Sequence, residues 1–169
     1  MNLSLGDLAV YPAHGVGKIE AVEERLVGNQ KCDVVLMRIL ENGMKIMIPA
    51  QNVEDIGLRP LIDEIEVDRI FDIFRAPPKI SKSSNWNRRQ RDYMDRIKTG
   101  SPFDVASVMS ELLAMRADKD LSFGERKLLD MVKVLLLKEM SLATGRSEKS
   151  IDEEICSFFR PAKSAALKS

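Results

Sequence analysis

The sequence is poor in the residues that most catalytic and secreted proteins depend on. It holds one histidine, two cysteines and one tryptophan, and 26 Lys and Arg balance 26 Asp and Glu for a formal net charge of zero. His14, in YPAHGVG, has no evident conjugate acid, nucleophile or second ligand beside it, so it reads as a turn residue. Cys32 and Cys156 stand far apart without a partner at metal-ligand spacing and read as buried thiols. The richest apolar stretch, Met131 to Leu137, is interrupted by Lys133 and closed by Lys138, which is too short to span a membrane. The opening MNLSLGDLAVYP has no basic segment leading into an apolar one, so a cytoplasmic location is expected. No Gly-rich phosphate loop, paired-carboxylate site or nucleophile elbow occurs. The expectation is a binding protein, with no catalytic residue, metal or cofactor.

What the sequence does have is positive charge gathered in one place. Between Arg75 and Gly100 eight Lys and Arg face two acids, Asp92 and Asp95, a net +6 in a chain that sums to zero. Ser83 or Ser84 can cap a helix here that Gly100 ends, with Trp86, Gln90, Tyr93 and Ile97 near one face. Arg88 and Arg89 in its first turn oppose the positive end of the helix dipole, a conflict that an anionic partner would remove. Phosphate fits, because Arg and Lys release condensed counterions when they neutralise it and a helix N-terminus adds N–H donors. An aromatic beside such arginines is the pattern of a side chain wedged against a base or stacked on it. The other reading of Trp86 is a core residue anchoring the helix beneath a solvated basic face.

Ahead of this segment, residues 7–60 read as short strands. Asp7 to Tyr11, Val16 to Leu26, Lys31 to Leu40 and Met44 to Ile48 are separated by glycine-rich turns, with Gly15 and Gly17 permitting a tight bend and Asn42-Gly43 signalling a hairpin. Ile46 and Ile48 alternate with Lys45 and Met47, as in a sheet with one buried face. The pattern predicts a small, strongly bent sheet or open barrel. Six Lys and Arg against eight Asp and Glu make this module mildly acidic, so a protein partner is expected for it rather than nucleic acid.

After Pro60 the apolar residues recur at helical spacing. Asp63 with Glu66 and Ser122 with Glu125 form capping boxes, and Ser101-Pro102 starts a further helix. Ala76-Pro77-Pro78 ends the first of these, and Lys79 to Ser84 is a polar loop. The longest helix, opened at Ser122 and closed at Gly145, is apolar nearly all round between Met131 and Leu137 and is expected at the centre of the bundle. A last helix begins at Ser147 or Ser150, bears Ile151, Ile155, Phe158 and Phe159, and stops at Pro161, with a frayed tail from about 162.

With these residues in view, the chain resembles the CarD/CdnL family of bacterial transcription regulators. GDLAVYPAHGVGKIEAVEER, IPAQNVEDIGLRP, RAPPKISKSSNWNRRQRDYMDRIKTGS and LSFGERKLL follow the family's order and spacing over nearly the whole length. The first part is also similar to the polymerase-interacting domain of transcription-repair coupling factor, a helicase whose length and phosphate loop this chain lacks. The resemblance implies an α+β protein: a Tudor/SH3-like bent β-sheet or open barrel over residues 1–61, then an all-α bundle of about five helices over 62–169. It implies that the first domain docks on the RNA polymerase β subunit. The second would touch promoter DNA at the upstream edge of the melted region, through the minor groove and phosphates, with little sequence specificity. Trp86 matches the family's minor-groove wedge, Arg88 and Arg89 match neighbouring phosphate contacts with Arg91 on the same helix, and Arg126 and Lys127 match a second basic position. Arg25 matches a polymerase-contacting arginine, and its companion position, just before the I-P-A step, holds Met47 here, which suggests a more apolar contact. The location implied is cytoplasmic, on the nucleoid through the polymerase.

Two other readings stay open on the sequence. A free-standing architectural DNA-binding protein would hold duplex alone with a steep salt dependence, which the zero net charge disfavours. A protein–protein adaptor would keep Trp86 in its core.

Overall fold

The computed structural model describes residues 3–76, 78 and 85–159. The chain separates into two compact units, Met1–Leu61 and Ile62–Ser169.

The first unit is a four-stranded antiparallel sheet in the order β1 (Leu8–Tyr11), β2 (Gly15–Val27), β3 (Gln30–Ile39), β4 (Lys45–Pro49). A 3-10 turn at Ala50–Asn52 and a one-turn helix α1 (Val53–Ile56) follow, and the chain returns to β1 where Val10 N–H donates to the Arg59 carbonyl at 2.7 Å. Ala9, Ile19, Val35, Met37, Ile39, Ile48, Val53 and Leu58 form the core of the curled sheet. A register shift between Ile19 and Ala21 inserts one extra residue in β2, a bulge of the kind that bends a strand and tightens its twist. Gly17 is not the bend the sequence suggested. It lies inside β2, and a Cβ there would come within 2.6 Å of the Met37 side chain, so the glycine makes room for a core methionine. The bend falls one turn earlier, where Ala13 and Gly15 take positive φ and His14 N–H donates to the Tyr11 carbonyl.

The second unit contains five helices among the described residues: α2 (Glu64–Arg75), α3 (Trp86–Lys98), α4 (Pro102–Asp118), α5 (Phe123–Thr144) and α6 (Glu148–Ser157). Both capping boxes close as the sequence predicts, at Asp63/Glu66 and Ser122/Glu125, and Gly145 ends α5 in the left-handed region. Ser147, not Ser150, caps α6. The cap of α3 is Asn85, whose side chain accepts from Arg88 N–H at 2.9 Å; Ser83, Ser84 and the expected stop at Pro161 lie outside the described residues.

The centre of the unit is α4 rather than α5. It packs on α2, α3 and α5 and buries Val105, Val108, Met109, Leu112 and Leu113, whereas Val134 and Leu142 of α5 are exposed. The apolar run of α5 was visible in the sequence; that Ser110 and Glu111 of α4 are buried was not, because polar residues read as outward. At one end of the unit Phe159 stands edge-on to Phe74 at 6.4 Å and Arg75 covers Phe158 and Phe71. The pair at 158–159 thus packs onto α2.

Candidate nucleic-acid and polymerase interfaces

Helix α3 meets α4 and α5 through two arginines that the sequence would place in solvent. Arg96 pairs with Glu111, whose side chain is 11% exposed, and donates to Ser107 Oγ at 3.3 Å. Arg89 Nη1 donates to Glu125 Oε2 at 3.3 Å and lies 3.6 Å from Met115 Sδ, with the two charged side chains 20% and 7% exposed. The inner face of α3 therefore runs through Arg89, Tyr93 and Ile97, and Gln90, expected on that face, is exposed. Part of the conflict between the helix dipole and its cation-rich first turn is resolved inside the protein, since Glu125 supplies Arg89 with an anion.

Glu125 carries two duties on its two oxygens. Oε1 accepts Ser122 N–H at 2.8 Å to complete the capping box, and Oε2 accepts Arg89. Burial pushes its carboxyl up, but the hydrogen bonds from Ser122 and the Arg89 guanidinium outweigh that and hold it below the ordinary 4.5. A carboxyl depressed in the folded state contributes stability that is present above its unfolded value and lost as pH falls through the folded one. Glu125→Gln keeps a cap acceptor but cannot titrate, so the gap in melting temperature between native and variant should close as pH falls from about 6 to about 3, as followed by circular dichroism. A gap that stays constant over that range would show that the ionised carboxylate does nothing for the fold.

Trp86 sits in the first turn of α3, half-buried. Its ring lies against the start of α5: a Cβ at Gly124 would be 2.9 Å from Cζ2 and 3.1 Å from both Cε2 and Nε1. The Arg89 guanidinium carbon is 5.6 Å from the ring centroid. The first turns of α3 and α5 are thus adjacent at Trp86, and the two helices also carry the exposed cations Arg88, Arg91, Arg126 and Lys127. Phe123 adds a second aromatic at the same place, 67% exposed with Lys127 Nζ 5.0 Å from its ring centroid. Sequence reasoning missed both Phe123 and Gly124. A glycine in the first turn of a helix costs stability relative to alanine, and that cost was the available signal of a close approach.

In the first unit the structure brings Arg25 and Met47 together, although 22 residues separate them. Arg25 Nη1 is 3.8 Å from Met47 Sδ, and its Nε is 3.0 Å from Glu23 Oε2. The register sets Ala21, Leu36 and Met47 opposite one another across β2, β3 and β4, while Arg25 pairs with Cys32 further along β2 and reaches Met47 through its long side chain. Arg25 and Met47 line an open groove of about 220 Å³ together with Glu20, Leu36 and Lys45. Met47 is half exposed, so the groove offers an apolar surface rimmed by charge.

His14 is exposed and stands edge-on to the Tyr11 ring at 4.9 Å. The cysteines are half-buried, not the buried thiols expected. Cys156 donates to Asp152 Oδ1 at 3.4 Å, and burial pushes its thiol up. None of the helices among the described residues is long and apolar enough to cross a membrane.

Comparison with known proteins settles the family. Residues 69–156 match the family described as "CarD, C-terminal domain", and residues 3–62 match "CarD-like/TRCF RID domain". The chain belongs to the CarD family. It is a CarD-family transcription regulator with an RID-type first domain. It is 33% identical over 147 residues, covering 87% of this chain and 95% of the relative, to the protein of Bacillus subtilis (strain 168) named "Putative transcription factor YdeB". The first unit of this CarD-family chain is also similar to two solved Myxococcus xanthus domains. One is the solution NMR structure of the 72-residue N-terminal domain of CarD, 39% identical, covering 35% of this chain and 79% of that one at a TM-score of 0.31. The other is the CdnLNt structure, 45% identical, covering 38% of this chain and 90% of that one at a TM-score of 0.33.

Proposed function

We propose that this CarD-family protein docks on the RNA polymerase β subunit through the Arg25/Met47 groove of residues 1–61 and stabilises the promoter open complex through residues 62–169. Trp86 is the wedge at the upstream edge of the melted DNA, with exposed Arg88, Arg91, Arg126 and Lys127 against phosphates on either side of it. Arg89, counted with the phosphate contacts on resemblance, has its guanidinium engaged by Glu125. The observation that carries the reading is that Trp86, in the first turn of α3, lies against the first turn of α5, on two helices that both carry exposed cations.

The mechanism is tethering. Docking through the first domain raises the effective concentration of the second at the promoter, so weak DNA affinity is enough. Little sequence preference is expected, because the minor groove carries a degenerate code and phosphates carry none. The adaptor reading with Trp86 in the core loses ground, since the residue keeps part of its surface exposed in its own unit. The free-standing DNA-binding reading fits poorly with zero net charge and with two of the basic helix's arginines paired to carboxylates.

The test is the lifetime of polymerase–promoter open complexes after competitor challenge, with and without the full chain, beside duplex binding without polymerase. The expected results are a longer lifetime, feeble duplex binding alone, and loss of the lengthening in Arg25→Glu, which reverses the charge on the groove rim. An unchanged lifetime, or tight salt-sensitive duplex binding without polymerase, would overturn the proposal.

A further inference from the structure

We infer that Gly124, Arg89 and Glu125 form a seat that fixes the orientation of the Trp86 ring before it meets DNA, so that the wedge is preorganised by the start of α5 together with Arg89 of its own helix. The inference rests on the wedge reading for its purpose but on the geometry of the second unit for its existence.

Three contacts define the seat. The edge of the indole formed by Cζ2, Cε2 and Nε1 lies on the backbone at Gly124, where a Cβ would fall at 2.9–3.1 Å from those atoms. Backbone in a capped helical turn cannot yield to such a clash, so any side chain at 124 displaces the ring. The Arg89 guanidinium takes the ring as its cation–π partner, with 5.6 Å to the centroid. Glu125 holds that guanidinium through Oε2 while Oε1 is committed to the cap of its own helix. Met115 Sδ, 3.6 Å from Arg89 Nη1, closes the same site from α4. The ring, the guanidinium and the carboxylate thus form a chain of contacts running from α3 into the first turn of α5. That turn is fixed in turn by the Ser122 capping box.

Arg89 and Arg88 consequently differ in role despite being neighbours. Arg88 is exposed and available to an external anion, whereas Arg89 is a positioning residue whose anion is internal. Ordering a side chain at an interface opposes binding, and a ring already fixed in its bound orientation avoids that loss. Gly124 has the same logic: the backbone freedom that glycine adds in a helix is unfavourable, and the space it leaves is filled by indole.

The experiment uses the fact that Trp86 is the chain's one tryptophan. Gly124→Ala and Glu125→Gln are made in the full chain, folding is checked by far-ultraviolet circular dichroism, and two readouts follow: acrylamide quenching with steady-state anisotropy of Trp86, and open-complex lifetime with polymerase. Alanine favours the helix at 124, and glutamine preserves the cap at 125, so neither change removes a helix signal. The seat predicts a rise in the quenching constant of about twofold, a lower anisotropy, and a lifetime shortened by about two- to tenfold in both variants with unchanged helix content. Arg89→Lys, which keeps charge but not the planar guanidinium, should fall between native and Glu125→Gln. Unchanged quenching and anisotropy in both variants would overturn the seat whatever the lifetime does. Greater quenching with a native lifetime would overturn its role in positioning the wedge. If the native chain itself fails to lengthen the lifetime, the wedge reading falls, and quenching and anisotropy alone decide whether the seat exists.

Discussion

Trp86→Ala is expected to shorten the lifetime of the polymerase–promoter open complex by roughly tenfold to hundredfold relative to the native chain. That range is what the ~1–3 kcal/mol of an aromatic–base contact gives when all of it is lost before the collapse transition state. Fold stability should fall far less than for a core tryptophan. Trp86 is partly exposed, so its removal should cost less than the ~3–5 kcal/mol typical of a fully buried aromatic. The paired measurement is competitor-challenged lifetime and thermal melting on the same protein. A variant that melts near the native temperature and leaves the lifetime at its no-protein value isolates the wedge. A native lifetime with Trp86→Ala excludes Trp86 from the mechanism, and a collapsed melting temperature returns it to the core.

Arg96→Ala is expected to be the larger blow to the fold, by about 3 kcal/mol, although Arg96 belongs to the same basic stretch. Removing it leaves Glu111, whose side chain is 11% exposed, without its cation at the α3–α4 contact, and breaking one side of a buried pair costs several-fold more than losing a surface charge. The Arg96 side chain is itself 26% exposed, which puts the expectation at the low end of the buried-pair range. Arg91→Ala is the matched control: exposed on the same helix, it should change stability by less than about 0.5 kcal/mol. Urea unfolding of the three proteins separates the cases, and equal midpoints for both variants would mean that the Arg96–Glu111 pair contributes nothing.

These two arginines show where sequence reading ended. The elements themselves were legible, because glycine turns, alternating Ile46 and Ile48, and the two S/D-x-x-E boxes each carry a local signal that the structure keeps. The family and its α+β architecture were legible too, from motifs spread along nearly the whole chain. What local signals cannot carry is which charge faces inward. Glu111, Glu125 and Glu139 are buried, and their partners, Arg96, Arg89 and the Ile62 N–H, lie 15, 36 and 77 residues away. For the same reason the +6 segment overstated the cations available to an outside partner, and Gln90 was placed on a face that Arg89 occupies. The meeting of Trp86 with Gly124 needed three dimensions, as did that of Arg25 with Met47 across three strands.

One carboxylate shared between a helix cap and an inter-helix ion pair has an evolutionary consequence. Positions 89, 122 and 125 are not free to drift one at a time. Loss of Ser122 loosens the turn that presents Glu125 to Arg89, and loss of Arg89 leaves a buried anion whose only remaining duty is the cap. The cost of any change at one of the three therefore depends on the residues at the other two, and viable routes through sequence space run by paired replacement. Among CarD-family chains the three positions should co-vary as a set, and Gly124 should be retained wherever a tryptophan stands at the start of α3.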